Sequence, residues 1–309
     1  GDNGVTWTDF DITDQSGYPN LQNSGNPEIT TFNISSVAGG QSSVLVQFYY
    51  NDNDIWAWYW AIDDVRITEL PNNSLVMFDA VHGGWWESYQ TYGGSGYNYS
   101  YKPLSQMSNN PYAFESVIKN NGINPQNTQL DVIVTNSSFQ PISIYNSNNI
   151  LLSATAQDTF VCNQTFLPID TGSYNFLMQG ISDSAVTSID TLSSVVTNNL
   201  YGRDDNVPDG AWRVGRTCGS MVLGVSYDIY SNDDLYNIQV HIDNSSVIGT
   251  HIYAQLYEID PLGDPIYMAQ SDDYTIYSSD LGNWKTISFN QPISLYGGIS
   301  YLAAVGGYA

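Results

Sequence analysis

Basic residues are scarce in this chain of 309 residues, in which seven Lys and Arg stand against 31 Asp and Glu. The formal net charge of −24 makes the surface strongly negative. Such a surface repels nucleic-acid phosphates and anionic lipid head groups, which argues against both as partners. Cations are the natural counterpart of this charge. The sequence also lacks the phosphate-binding pattern Gly-x-x-x-x-Gly-Lys.

Long apolar runs and cysteines are also few. No run approaches the ~20 apolar residues that a membrane-spanning helix needs, so we expect no membrane insertion. The two cysteines are Cys162 and Cys218. They can form a disulfide bond in an oxidising environment or remain two separate buried thiols, and their spacing does not decide between these states.

Catalytic signatures are missing as well. The sequence has no Gly-x-Ser-x-Gly motif, and its three histidines do not form the zinc-protease motif His-Glu-x-x-His. Glycosidases need two carboxylates across a cleft, and the arrangement best worth testing is Glu87, which follows Trp85 and Trp86. A lone acid is more often a solvated side chain. We therefore expect no catalytic residues in this segment.

Aromatic and short apolar segments are what the chain does contain. Hydrophobic residues make up 42% and aromatic residues 14%, which excludes a disordered acidic chain. Short segments with a period of two, bounded by Gly, Asn, Asp and Pro, predict an all-β fold of tandem β-sandwiches. Polar stretches at Pro71–Ser74 and Tyr201–Gly210 divide it into domains. The predicted domains are 1–70, 71–202 and 203–309.

The middle domain has the clearest strand pattern. Its predicted strands include Phe114–Ile118, Leu130–Val134, Ile142–Tyr145, Ile150–Ala154 and Tyr174–Met178. The spacing Asp170-x-Gly172-x-Tyr174 matches the tyrosine corner of immunoglobulin-like domains, in which the tyrosine hydroxyl bonds to the backbone a few residues upstream. Tyr174 is therefore predicted to be structural.

Strands are also predicted over Ser43–Tyr50 and at the end of Trp56–Ile67, where two adjacent aspartates accompany three tryptophans. By alternation, either Asp63 or Asp64 points toward an apolar layer, which is costly unless the carboxylate is paired or binds a metal. With Asp52 and Asp54 in the preceding loop, the simplest ligand is Ca²⁺. The alternative is an acidic hairpin turn, since Asn and Asp are common in turns.

A second, weaker calcium candidate lies at the next domain boundary. It comprises Asp204, Asp205 and Asp209. Pro208 and the lack of a correctly spaced glutamate exclude the EF-hand pattern, so only a different calcium-binding turn fits.

A glycine-rich aromatic segment follows the first linker. Its candidate ligand-binding residues are Trp85, Trp86, Tyr97, Tyr99 and Tyr101. Exposed aromatic rings can stack on sugars and are enriched at interfaces. The alternative is that Tyr97, Tyr99 and Tyr101 form one face of an ordinary strand and pack on a neighbouring module.

The segments Asn33–Gln41, Val44–Phe48 and Trp60–Val65 resemble the last strands of MAM-like, or cleaved-adhesin, jelly rolls. These domains occur in surface proteins exported by bacterial type IX secretion. Residues 108–202 resemble the immunoglobulin-like spacers of such proteins, and residues 203–309 resemble a second, truncated jelly roll. Both ends, Gly1–Trp7 and Tyr301–Ala309, look like strands of incomplete domains, so we expect an interior piece of a larger protein.

This resemblance implies calcium binding, adhesion and a secreted or cell-surface location. The implied partners are a cell-surface glycan or protein, or copies of the chain itself. Two alternatives to adhesion stay open. In the first, the chain is the accessory region of a secreted protease or glycosidase whose catalytic domain lies elsewhere. In the second, it is a subunit of a self-assembling filament or sheath.

Overall fold

The computed structural model describes residues 6–10, 32–50, 62, 64–82, 99–204, 206–207, 210–211 and 219–308. The chain divides into two compact units, Gly1–Thr68 and Glu69–Ala309. Strands dominate the described residues of the second unit, so the predicted all-β tandem-sandwich fold is confirmed. Among the described residues, no helix is both long and apolar enough to cross a membrane.

In the described part of the first unit, the only regular element is the short helix α1, Ser35–Ala38, whose first backbone N–H donates to Asn33 Oδ1 at 3.0 Å. The strand predicted over Ser43–Tyr50 is wrong, because these residues form no ladder and Leu45 is 61% exposed. Alternation and apolar character favour a strand only where a partner strand satisfies its backbone groups. Residues 6–10 and 64–67, for which the alternation also predicts strands, are not assigned to a strand either.

The second unit begins with a sandwich whose described residues form nine strands and one helical turn. The elements are β1 Leu75–Val81, β2 Tyr101–Pro103, α2 Leu104–Met107, β3 Glu115–Asn120, β4 Gln126–Asn136, β5 Pro141–Asn146, β6 Ile150–Leu152, β7 Gln157–Val161, β8 Gly172–Ser182 and β9 Asp190–Thr197. One sheet has the order β1-β3-β7, and the other has the order β2-β9-β8-β4-β5, with β6 paired to β4. Strand β2 runs parallel to β9, while the other pairs are antiparallel.

Aromatic rings fill the space between these two sheets. Phe176, on β8, has its ring centroid 4.9 Å from that of Tyr112 and 5.1 Å from that of Phe114, and all three side chains are fully buried. Phe176 occupies the position at which antibody domains carry a cysteine. The sandwich is therefore held by aromatic packing at the place where an inter-sheet disulfide would lie.

A second sandwich follows in the same unit. Its strands are β10 Met221–Ile229, β11 Asp233–Ile242, β12 His251–Ile259, β13 Pro265–Gln270, β14 Tyr274–Thr275, β15 Asn283–Leu295 and β16 Ile299–Gly307. One sheet has the order β10-β16-β12-β13, with β14 paired to β12, and the other contains β11 and β15. Alternating apolar residues such as Ile238, Ala254 and Ile287 face each other between the sheets.

Candidate functional site

The first calcium candidate falls mostly outside the described residues. Asp52, Asp54 and Asp63 lie there, whereas Asp64 is described, exposed and left-handed, with φ 48°. Asp64 by itself does not enclose a cation, because Ca²⁺ takes six to eight oxygen ligands. Across the described ranges, no three Asp, Glu, His or Cys side chains come together around a point that could hold a metal.

The second calcium candidate is also divided. Asp204 is described, and its carboxylate accepts a hydrogen bond from the Asn206 backbone N–H at 3.0 Å. Asp205 and Asp209 lie outside the described residues. The hydrogen bond from Asn206 to Asp204 is that of an Asx turn, which needs no metal. Both calcium sites remain predictions.

The aromatic residues predicted to bind a ligand differ in how far the structure describes and exposes them. Trp85, Trp86 and Tyr97 lie outside the described residues. Tyr99 is only 1% exposed, so its ring is covered by protein and is not presented to a ligand. Tyr101 begins β2 and is half-buried. Of these tyrosines, Tyr99 therefore fits the alternative, in which the ring packs against protein.

The tyrosine corner is present in the first sandwich. The Tyr174 hydroxyl donates a hydrogen bond to the Asp170 carbonyl oxygen at 2.9 Å, as the sequence spacing predicts. The Tyr174 side chain is 9% exposed, and its ring lies edge-on to Phe166 with centroids 5.2 Å apart. Tyr174 thus ties the chain entering β8 to the core.

The cysteines are described only in part. Cys162 is buried in the core of the first sandwich, and Cys218 lies outside the described residues. Burial raises the pKa of the Cys162 thiol to about 12, with the nearby Asp131 carboxylate adding to the shift. A thiol with so high a pKa is protonated at neutral pH and is a poor nucleophile.

The most extensive polar site among the described residues joins the two sandwiches, and we call it the junction. At its centre is Gln106 in α2, which is fully buried. Its Oε1 accepts hydrogen bonds from the backbone N–H groups of Tyr230 at 3.0 Å and Ser231 at 2.8 Å. Its Nε2 donates to Ser231 O at 3.0 Å and to Asp233 Oδ2 at 3.1 Å. One amide thus uses both its acceptor and its donors on the β10–β11 connection.

Two neighbours extend this polar contact towards solvent. Asn109 Nδ2 donates to Tyr230 O at 3.2 Å and to Ser231 Oγ at 2.9 Å. The Ser105 hydroxyl donates to Asp233 Oδ2 at 3.4 Å. The β10–β11 connection is therefore held largely through its backbone atoms. These hydrogen bonds can form only when the connection has this conformation.

Beside the polar contact lies a cluster of tyrosines. The Tyr99 ring centroid is 5.4 Å from that of Tyr201 and 6.2 Å from that of Tyr227, which lies on β10. The Tyr99 hydroxyl accepts a hydrogen bond from the Asp228 backbone N–H at 2.9 Å. Burial raises the pKa of the Tyr99 and Tyr201 hydroxyls well above the usual range, so both stay neutral.

The start of the connecting chain, at Gly202, is bonded to the first sandwich as well. Gly202 and Tyr101 exchange two backbone hydrogen bonds, at 3.1 and 3.0 Å. A Cβ atom on Gly202 would lie 2.7 Å from Tyr101 Cδ2, so only glycine allows this close approach. Gly202, at the start of the segment that links the sandwiches, is therefore part of the packed junction.

Lys102 completes the junction from inside the first sandwich. Its side chain is fully buried, and its Nζ donates to both the backbone oxygen and the Oδ1 atom of Asn110. The Nζ atom lies 5.5 Å from the ring centroid of Tyr112 and 5.6 Å from that of Tyr230. Burial lowers the pKa of the Lys102 ammonium to about 7.

Sequence reasoning missed Gln106, Asn109 and Lys102. Gln106 and Asn109 bond to residues more than 120 positions away, so no local pattern reports these contacts. Lys102 carried a usable signal, because a lysine between Tyr101 and Pro103 is rare in a chain with seven basic residues.

The comparisons with known proteins assign no relationship. No protein-family model matches the chain, and no curated protein matches it.

Proposed function

We propose that this chain is a non-catalytic adhesion or surface-assembly segment of a large secreted multidomain bacterial protein. The observation that carries the proposal is the junction, in which the buried Gln106 bonds four ways to the second sandwich. Burying a polar side chain is unfavourable unless its partners are satisfied, so this contact requires one arrangement of the two sandwiches. Fixed spacing of sandwich domains suits a segment that presents surfaces rather than one that performs chemistry.

Composition supports the extracellular part of the proposal. A chain with net charge −24 and few basic residues is suited to an environment rich in Ca²⁺, and the resemblance to type IX cargo modules points the same way. The proposed partners are a cell-surface glycan or protein, or further copies of the chain. The proposed cofactor is Ca²⁺, which would stabilise the fold rather than take part in a reaction.

Binding and turnover measurements on the same purified chain test this proposal. Beads coated with the chain are exposed to immobilised glycans and extracellular-matrix proteins, with Ca²⁺ or with EDTA, and sedimentation velocity follows self-association under both conditions. We expect retention on one surface, or assembly, in Ca²⁺ and no cleavage of glycan or peptide substrates. A monomer that binds none of these surfaces would contradict adhesion and assembly, and substrate cleavage would contradict the non-catalytic role.

A further inference from the structure

An amine and a carboxamide meet in the interior of the first sandwich. The Lys102 side chain is fully buried, and Asn110 is only 5% exposed. The Lys102 Nζ atom donates hydrogen bonds to the Asn110 side-chain Oδ1 atom and to its backbone oxygen. These are the two groups that combine into an amide when ammonia is lost, and here they touch where water is largely excluded.

The surroundings favour the reactive form of the amine. Lys102 forms no ion pair with the carboxylates of the described residues, so no neighbouring negative charge of this kind holds the amine protonated. Burial lowers the pKa of Lys102 to about 7, so a large fraction of the side chain is uncharged at neutral pH. An uncharged amine has the lone pair that nucleophilic attack requires.

The residue after Asn110 cannot compete with Lys102 for attack on the Asn110 side chain. An asparagine carbonyl carbon is ordinarily attacked by the backbone nitrogen of the next residue. Here that residue is Pro111, whose nitrogen carries no hydrogen. Lys102 Nζ is thus the nucleophile placed at this carbonyl.

We propose that Lys102 and Asn110 become joined by an intramolecular isopeptide bond. The Lys102 Nζ atom attacks Asn110 Cγ and forms a C–N bond, and the bond between Cγ and Nδ2 breaks. The leaving nitrogen departs as ammonia and carries away the hydrogen that the amine loses, so no oxidant, metal or other reactant is needed. The bond closes a covalent ring around Pro103–Asn109, the segment that holds Gln106 in place.

The position of Met107 makes a direct test possible. Met107 lies between Lys102 and Asn110, so cyanogen bromide cleaves the chain between the two residues. Without a crosslink, cleavage yields separate fragments 78–107 and 108–178. With the isopeptide bond, mass spectrometry of the reduced, denatured protein detects one branched product containing both fragments, lighter than their sum by one ammonia molecule.

Variants separate the crosslink from other reactions. Lys102→Arg places a non-nucleophilic guanidinium at the site, and Asn110→Ala removes the acceptor, so both are expected to give separate fragments. Lys119→Arg, a change on β3, is the control and keeps the branched product. Cyclisation at Asn121–Gly122 would also lose ammonia but would leave the fragments separate.

The wild-type protein alone decides the outcome, even if a variant does not fold. Separate fragments 78–107 and 108–178 from folded wild-type protein, with or without a loss of ammonia, would overturn the proposal. A branched product would establish it, whether or not the chain proves to be an adhesin.

Discussion

Gln106 and Ser231 form a reciprocal pair across the junction. The Ser231 backbone N–H donates to Gln106 Oε1 at 2.8 Å, and Gln106 Nε2 donates back to the Ser231 carbonyl oxygen at 3.0 Å. The pair imitates a rung of an antiparallel ladder, with a side-chain amide in place of one backbone strand. The Gln106 side chain is thereby hydrogen-bonded to the backbone of the second sandwich.

Replacing Gln106 with alanine should destabilise the second unit. The backbone N–H groups of Tyr230 and Ser231 would lose their acceptor, and we expect the free energy of unfolding to fall by about 3 kcal/mol. Urea unfolding followed by tryptophan fluorescence measures this change. The control is Gln239→Ala, on an exposed position of β11, which should change the midpoint little. Equal midpoints for the two variants would show that the junction contributes no stability.

Removing the Tyr174 hydroxyl tests the tyrosine corner. Tyr174→Phe keeps the ring against Phe166 but leaves the Asp170 carbonyl oxygen without this donor, so we expect a loss of about 1 kcal/mol. Tyr236→Phe, at a side chain that is 59% exposed, is the matched control. Thermal unfolding of both proteins gives the comparison, and an unchanged melting temperature for Tyr174→Phe would contradict a structural role.

His82 should make stability depend on pH. Burial is the main cause that lowers the pKa of His82 from 6.5 to about 3. Between these values the unfolded chain takes up the proton and the folded chain does not, so the free energy of unfolding falls as the pH drops from 6.5 towards 3. Above pH 6.5 this group contributes no slope.

The measurement compares wild type with His82→Phe, which keeps an aromatic ring beside Phe176. Urea unfolding across the acid range gives the slope for each protein, and subtraction removes the contribution of the carboxylates that both share. We expect a shallower slope for the variant. Identical slopes would mean that His82 is not held neutral in the folded protein.

Calcium binding at the first candidate site has its own test. Asp63→Ala or Asp64→Ala should lower the melting temperature in Ca²⁺ and leave it unchanged in EDTA. A cation bound only to the folded state adds about 2.7 kcal/mol at about a hundredfold excess over its dissociation constant. Glu69→Ala, at a nearby exposed acid, serves as control. Equal shifts with and without the ion would rule out calcium at these aspartates.

Local chemistry explains which features could be predicted from the sequence. The Tyr174 hydrogen bond spans four residues, so the spacing alone contains it. Segments such as Leu130–Val134 lie in β4, whose alternate residues are buried. The alternation of apolar and polar residues therefore predicted these strands correctly. The same rule failed at Ser43–Tyr50, because alternation does not tell whether a partner strand is near.

The junction could not be predicted for a different reason. Gln106 looks like an ordinary polar residue of a loop, and only the fold covers it. Its role depends on Tyr230 and Ser231, which lie more than 120 residues further along the chain. A local pattern carries no information on such a contact.

The parallel pairing of β2 with β9 has a mechanical consequence. Once β1, which precedes β2, has been detached, tension along the chain would draw β2 towards Tyr101 and β9 towards Thr197. The two strands would then slide past each other in opposite directions. Their three paired positions, from Tyr101 with Val195 to Pro103 with Thr197, would then be loaded together in shear instead of opening one after another. Sequential unzipping breaks one bond at a time, whereas shear requires several to fail at once. We therefore expect the short strand β2 to resist further extension after β1 has detached.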